Sequence, residues 1–311
     1  MTRYIVVRLL DAIPTILLVL TLVFVAMRIL PGDPAVAALG DFATPEQREA
    51  FREQMGLNAP LWQQYLSFIG SSLTLDFGQS MINGRDVLGL IAYNLPYTIE
   101  LTIAAVLLGV LMGVPFGVWA ATNANRAPDS AMRGFSLIGY AVPDFYLGAL
   151  LLIVFSLNLG WFPINGGGEG FLDRMHHVFL PALTLAFIKA AFLGRLTRTA
   201  LLEVLGRDYI RTARAKGARE PRVIYRHGLR NALLPLTTGL GLTTLTALSG
   251  SVAIELVFNR PGLGKLLISA IAERDYAVIQ GGIVVFALFV VAINLAMDLV
   301  YVLVDPRIRV S

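Results

Sequence analysis

The sequence predicts an all-α integral membrane protein. It has six transmembrane helices, a short cytoplasmic helix between spans four and five, and an extended outer segment after span one. Three observations carry that prediction. Of the 311 residues 56% are hydrophobic and 15% charged, with a mean hydropathy of +0.69, and the apolar excess lies in long blocks rather than in the 3.6-residue stripe of a soluble helix. Six of these blocks, near residues 9–30, 97–121, 135–158, 178–196, 232–257 and 277–304, are long enough to cross about 30 Å of hydrocarbon. The cations are also uneven. With the N-terminus inside, the outer segments hold only Arg48, Arg52, Arg85, Arg174, Arg260, Lys265 and Arg274, against sixteen Lys and Arg in the inner ones. That excess puts both termini in the cytoplasm.

Other classes are excluded by composition. The chain has no cysteine, so disulfides and thiolate metal sites are out. The net charge of +4 is not a nucleic-acid footprint, because the cations flank hydrophobic spans. The start, MTRYIVVRLL, resembles a secretory signal, but Ala12 to Ala26 carries no small-residue cleavage site and further spans follow. It reads as a retained first helix.

In chain order, residues 1–30 form the cytoplasmic N-terminus and first span. Residues 31–96 form an extracytoplasmic insertion, and 97–311 a core of five spans with a cytoplasmic loop at about 197–231. The insertion opens on a turn, Pro31 to Pro34. Thr44 caps a helix from Pro45 to about Met55, with Glu46 and Glu49 in its first turns, and Gly56 stops it. A second amphipathic stretch, Pro60 to Leu73, gathers Leu61, Trp62, Tyr65, Leu66 and Ile69 on one face. The insertion is a small folded cap on the outer surface. In span two, Gly109, Gly113 and Gly117 recur every four residues, which suits close helix packing. In span four, Pro181 and Lys189 are tolerable where they face protein rather than lipid.

The chain is organised around Glu203 to Pro235, where Arg207, Arg211, Arg214, Lys216, Arg219, Arg222, Arg226 and Arg230 crowd between two spans. Asp208 is read as the N-cap of a helix from Tyr209 to Lys216, and Gly217 as its left-handed stop. Ile210, Ala213 and Gly217 form a low-relief strip open to another protein; Arg207, Arg211 and Arg214 line a second. A second short helix follows, with Pro221 in its first turn. So short a helix needs something to hold it, either the anionic lipid surface or a partner protein.

Polar groups inside spans are the next candidates. Asp144, beside Pro143, is the best candidate for a carboxylate on a translocation path, and Glu255 a second. Asp11, Glu100 and Asp298 read as structural pairs at interfaces. Span five carries Thr237, Thr238, Thr243, Thr244, Thr246, Ser249 and Ser251; these either bond between helices or line a wet pathway, with Thr243 and Ser249 as path candidates. His176 and His177 read as surface histidines rather than metal ligands.

The run Asp208-Tyr209-Ile210-Arg211-Thr212-Ala213-Arg214-Ala215-Lys216-Gly217, followed by His227-Gly228-Leu229-Arg230-Asn231-Ala232-Leu233-Leu234-Pro235, closely resembles the permeases of ABC importers, in their dipeptide/oligopeptide/nickel branch. The general family signature is E-A-A, three residues, G, nine residues, I-x-L-P. With Gly217 on the family glycine, Arg211, Thr212 and Ala213 stand at E-A-A. His227 replaces Ile, Leu229 matches Leu, and Arg230 replaces Pro. Arg211 is opposite in charge to the family glutamate, so no glutamate contact carries over. Leu30-Pro31-Gly32-Asp33-Pro34, Asp76-Phe77-Gly78-Gln79-Ser80, Glu255-Leu256-Val257-Phe258-Asn259-Arg260-Pro261-Gly262-Leu263-Gly264 and Asp305-Pro306-Arg307 resemble the same branch. The long insertion after span one resembles the first, B-type, subunit.

The resemblance implies a type I importer permease of the bacterial cytoplasmic (inner) membrane that moves di- or oligopeptides. A second, C-type permease, two ATPase subunits and an extracytoplasmic binding protein would complete it, with Asp208–Gly217 as the coupling helix docked on an ATPase. No nucleic acid enters the scheme. Gly262-Leu263-Gly264-Lys265-Leu266 lacks the phosphate-loop spacing and its Ser/Thr, so the chain is not itself an enzyme and carries no cofactor. ATP and magnesium belong to the ATPase subunits. Nickel complexes, opines and glutathione-like peptides are alternative cargoes. A proton-coupled secondary transporter is the rival class, disfavoured by the lack of an internal repeat; a receptor-like scaffold is a third and needs no polar path.

Overall fold

The computed structural model describes residues 2–29, 34–39, 42–54 and 56–304. Leu30 to Asp33, Met55 and Asp305 to Arg307 lie outside the described residues. Regular structure is helical: α1 (Thr2–Ile29), α2 (Pro34–Leu39), α3 (Pro45–Gln54), α4 (Leu61–Thr74), α5 (Val87–Thr122), α6 (Ala127–Ala141), α7 (Asp144–Asn158), α8 (Gly170–Leu205), α9 (Asp208–Ala215), α10 (Glu220–Val257), α11 (Leu263–Glu273) and α12 (Tyr276–Val304).

Five stretches among the described residues are long and apolar enough to cross a bilayer: Leu10–Ile29, Val87–Thr122, Gly170–Leu205, Glu220–Val257 and Tyr276–Val300. The sixth crossing differs from the expected continuous span at 135–158. It is a broken pair, α6 and α7, bent by 100°. Pro143 has no N–H to give and disfavours helical backbone at the residue before it; Val142 is accordingly extended, with φ −93° and ψ 120°. Span four is also longer than expected. The apolar window of α8 is 67% buried inside the protein, which is how Pro181 and Lys189 are accommodated, both being buried.

The chain divides into two compact units. In the first (1–97 with 261–295), α4 lies along α1. The Phe24 ring meets Tyr65 edge-on at 5.3 Å and stacks on Phe68 at 5.9 Å, while Thr21 and Tyr65 share a 2.7 Å hydroxyl bond. The expected apolar face of α4 is therefore split: Phe68 and Ser72 are buried, but Leu61, Trp62, Leu66 and Leu73 are exposed. Before it, Thr44 and Gln47 form a reciprocal capping box (2.9 and 3.3 Å), and Gly56 at φ +65° follows α3. Asp86 caps α5 through the Gly89 N–H at 2.6 Å. Asp275 starts α12, accepting the Val278 and Met81 amides and the Ser80 hydroxyl.

In the second unit (98–260 with 296–311), α8 is the axis. Gly113 of α5 meets it so closely that an added Cβ would lie 2.7 Å from the Ala190 carbonyl oxygen. At Gly109 the same atom would lie 2.9 Å from Lys189 Cβ. Gly117 abuts Gly194 and Thr197 in the same way. From α6, Gly139 faces Ala191 and Met132 covers Gly194. Leu101, Leu185, Ile254 and Phe258 fill the core among α5, α8 and α10.

Candidate functional site

The basic segment 203–235 folds into a foot carried by two long helices. α8 ends at Leu205, and the backbone turns through extended Arg207 (φ −75°, ψ 151°) into α9. Asp208 is the first helical residue, not the cap. Arg207 occupies the cap position without a side-chain bond, and the exposed Asp208 carboxylate lies 3.5 Å from Arg211. The other end follows the sequence. Gly217 adopts φ +79°; its N–H reaches the Arg214 carbonyl at 2.9 Å and the Ala218 N–H reaches that of Ala213 at 3.2 Å. These two bonds are the Schellman closure.

The faces of α9 are assigned differently from the sequence expectation. Ile210 is fully buried and Ala213 partly so, packed toward the 223–229 turns of the same chain. Ile210 and Ala213 of the expected strip are thus used internally, because an isolated two-turn helix must bury something to be stable, while Gly217 stays exposed. The face left outward carries Asp208, Arg211, Thr212 and Ala215, flanked by Tyr209 and Lys216. Arg214 pairs with Glu220 at 2.7 Å, and Arg207 with Glu203.

The second short helix is not separate. Pro221 sits in its first turn, but Glu220–Arg222 runs on through widened i→i+5 turns at Val223–Leu229 into the rest of α10. Gly228 permits this closeness: a Cβ there would lie 2.9 Å from Leu201 of α8. Val118, Ala121, Leu201, Leu205, Ile224 and Leu229 complete an apolar hub above the foot.

A residue the sequence reading missed braces this hub. Asp129 of α6 is fully buried and grips Arg198 of α8 through both carboxylate oxygens. It also accepts Arg133 at 3.1 Å and the Asn125 amide at 2.8 Å. The i, i+4 spacing of Asp129 and Arg133 was visible. The partner that buries the pair is 69 residues away.

The path candidates separate into two groups. Thr243 is buried and donates to the Gly239 carbonyl at 2.7 Å; Glu255 is buried and accepts the Thr98 hydroxyl at 2.6 Å. Both face packed protein in this chain. Asp144 is half-buried at the start of α7, and Ser249 is exposed on α10. A Cβ at Gly250 would lie 3.0 Å from Asp144 Oδ2, so the missing side chain makes room for the carboxylate.

The span-five hydroxyls bond neither across helices nor to an open path with their protons. Thr237, Thr238, Thr243, Thr244, Thr246, Ser249 and Ser251 each donate to a carbonyl three or four residues back. Glu100 pairs with Arg174 at 2.5 Å and Arg260 at 3.1 Å, a structural role as expected. His176 bonds the Trp161 carbonyl at 2.8 Å and His177 lies beside Asp173. Among the described residues no group of three or more His, Cys, Asp or Glu is arranged to hold a metal.

Known proteins resemble this chain in sequence and in fold. Residues 113–310 match the family of the binding-protein-dependent transport system inner membrane component, and residues 1–102 match the N-terminal part of such membrane components. The chain is 44% identical over 316 residues to the oligopeptide transport system permease protein AppB of Bacillus subtilis (strain 168), covering 99% of this chain and 100% of that protein. It is 42% identical over 309 residues to the glutathione transport system permease protein GsiC of Escherichia coli (strain K12), covering 99% of each. Among solved structures, the inward-facing MetNI methionine ABC transporter superposes with a TM-score of 0.58 at 20% identity, over 70% of this chain and 97% of that one. That likeness concerns the fold. By sequence and fold together, the chain belongs to the family of inner membrane components of binding-protein-dependent transport systems, as a multi-span helical permease.

Proposed function

We propose that this chain is one of two permeases of an ATP-driven importer of short peptides, and that α9 is its coupling helix. The observation that carries this is the construction of α9. It is an eight-residue helix anchored inward by Ile210, closed by Gly217, and presented outward from the joined ends of α8 and α10. A helix held only by lipid would present a row of apolar anchors outward; here the outward residues are Asp208, Arg211, Thr212 and Ala215, with Tyr209 the one exposed aromatic beside them. Cargo class draws on the relatives, permeases of oligopeptide and glutathione systems.

In this scheme both termini and α9 are cytoplasmic, residues 31–96 face outward, and 97–311 form the core. ATP and magnesium are bound, and ATP hydrolysed, by two separate ATPase subunits. A C-type permease and a binding protein complete the assembly. Asp144 and Ser249 lie toward the path, while Thr243 and Glu255 brace it from within. The absence of cysteine makes a direct test simple. A single cysteine at Thr212, co-expressed with an ATPase carrying a surface cysteine, should cross-link in membranes. Full transport by a T212C chain that never cross-links, at any tested ATPase position, refutes the docking.

A further inference from the structure

Lys189 is a cation in the middle of α8, well away from either end, and a lone ammonium there is expensive unless answered. Its Nζ donates to Thr246 Oγ1 at 3.1 Å. Asp144 Oδ2 stands over Gly250, at 3.0 Å from where a Cβ would sit. Thr246 and Gly250 are four residues apart on α10, one helical turn of about 5.4 Å, so the two charged side chains are met at successive turns of one helix face. Thr246 and Ser249 on that face are exposed, and Asp144 is half-buried.

The break at Val142–Pro143 is what delivers the carboxylate. A continuous helix would carry position 144 onward along the α6 axis; the 100° bend turns the first residue of α7 toward α10 instead. Gly250 has no side chain to block it. From these placements we infer that Asp144 and Lys189 form a two-pole subsite for the free ends of a short peptide, the substrate ammonium on Asp144 and its carboxylate on Lys189. Thr246 holds the lysine in place between substrates.

One helical turn suits a dipeptide. Its termini are separated by roughly two residue lengths of 3.3–3.6 Å, so it can reach both poles at once. A longer extended peptide engages one pole at a time. The subsite therefore favours short, zwitterionic cargo and discriminates against either end being capped. It rests on the peptide-importer reading and adds to it a residue, Lys189, and a length preference.

The test uses the assembled permease–ATPase complex in nanodiscs without binding protein, so that selection by that protein does not enter. Equilibrium binding of a radiolabelled dipeptide is compared with its N-acetylated and C-amidated forms. Each cap should weaken binding about tenfold in the wild type, the scale of one charge-assisted bond. K189Q should weaken the free dipeptide about tenfold and make it indistinguishable from the amidated form. D144N should do the same for the acetylated form. Equal binding of free and capped peptides by the wild type, or full discrimination retained in K189Q, overturns the subsite and leaves a structural ion pair. A folded variant is confirmed by an unchanged melting point. Complete assemblies that accumulate no peptide in vesicles overturn the importer reading itself, and the subsite with it.

Discussion

Gly113→Ala gives the sharpest test of how the second unit is held together. The added methyl would lie 2.7 Å from the Ala190 carbonyl oxygen, 2.9 Å from Ala190 Cα and 3.1 Å from the Gly194 amide nitrogen. All three are backbone atoms of α8, so no side chain can rotate away. Ordinary contact begins near 3.4 Å, leaving the closest approach 0.7 Å short. Relief requires α5 and α8 to part along their length. Overpacking of this kind costs about 1–3 kcal/mol, against roughly 0.5–1 kcal/mol gained from the better helix propensity of alanine. The net is a loss of about 1–2 kcal/mol. Gly70→Ala in α4 is the matched control, since nothing lies within 4 Å of its Cβ position. It keeps only the favourable part. Thermal unfolding of the two purified variants in one detergent should show G113A below wild type and G70A at or slightly above it. A G113A midpoint equal to that of G70A would refute the close α5–α8 crossing.

Three further outcomes follow from local geometry. Gly217→Ala meets no neighbour within 4 Å but must hold φ +79°, a strain of about 1–2 kcal/mol; Gly217→Asn, which tolerates that backbone, should restore most of the lost ATPase-coupled transport. Asp275→Ala removes the α12 cap and releases Ser80 and Met81, costing about 2 kcal/mol, and limited proteolysis should then cut near residues 76–86. Glu46 is held below its ordinary carboxylate value of 4.5 by its own backbone amide and the Thr44 hydroxyl. Its contribution to α3 is complete above that value and lost as pH falls through the lower folded one. Protection factors of the α3 amides, with the intrinsic exchange rate at each pH divided out, should fall with acid more steeply in the wild type than in Glu46→Gln.

Much of the fold was legible because apolar blocks and helix-end chemistry are local signals. Thr44, Gly56 and Gly217 mark their ends correctly, and the Gly109 to Gly117 spacing announces the close crossing. What was hidden depends on partners distant in sequence. Pro143 was noticed, yet hydropathy alone joined 135–158 across it, since apolar content does not report where a backbone bends. Ile210 is apolar on an otherwise polar helix, and periodicity cannot say whether such a residue meets its own chain or another; the structure shows its own. The seven hydroxyls of span five were open to two readings, bonds between helices or a wet lining. Each donates to a carbonyl three or four residues back, a local bond that composition does not announce. Asp129 was passed over because the arginine that grips it, Arg198, is 69 residues away.

On the proposed coupling, the arrangement of stiff and soft joints decides where motion can go. The ends of α8 and α10 are joined at Gly228 and Leu201, and Asp129 ties α6 to α8 through Arg198. A displacement of α9 is therefore passed to α6, α8 and α10 together rather than absorbed at the foot. Helical backbone between these joints and the membrane interior resists bending, because each turn is hydrogen-bonded to the next. The discontinuity is at Val142–Pro143, where the ladder between α6 and α7 is interrupted and the chain turns by 100°. Asp144 is the first residue beyond it. On the proposed reading, rotation there would change the gap between Asp144 and Lys189 and so link the foot to the inferred subsite through a single hinge. The countercharge of Lys189, in that reading, stands just beyond this hinge, while Thr246 holds the lysine at 3.1 Å in the arrangement observed.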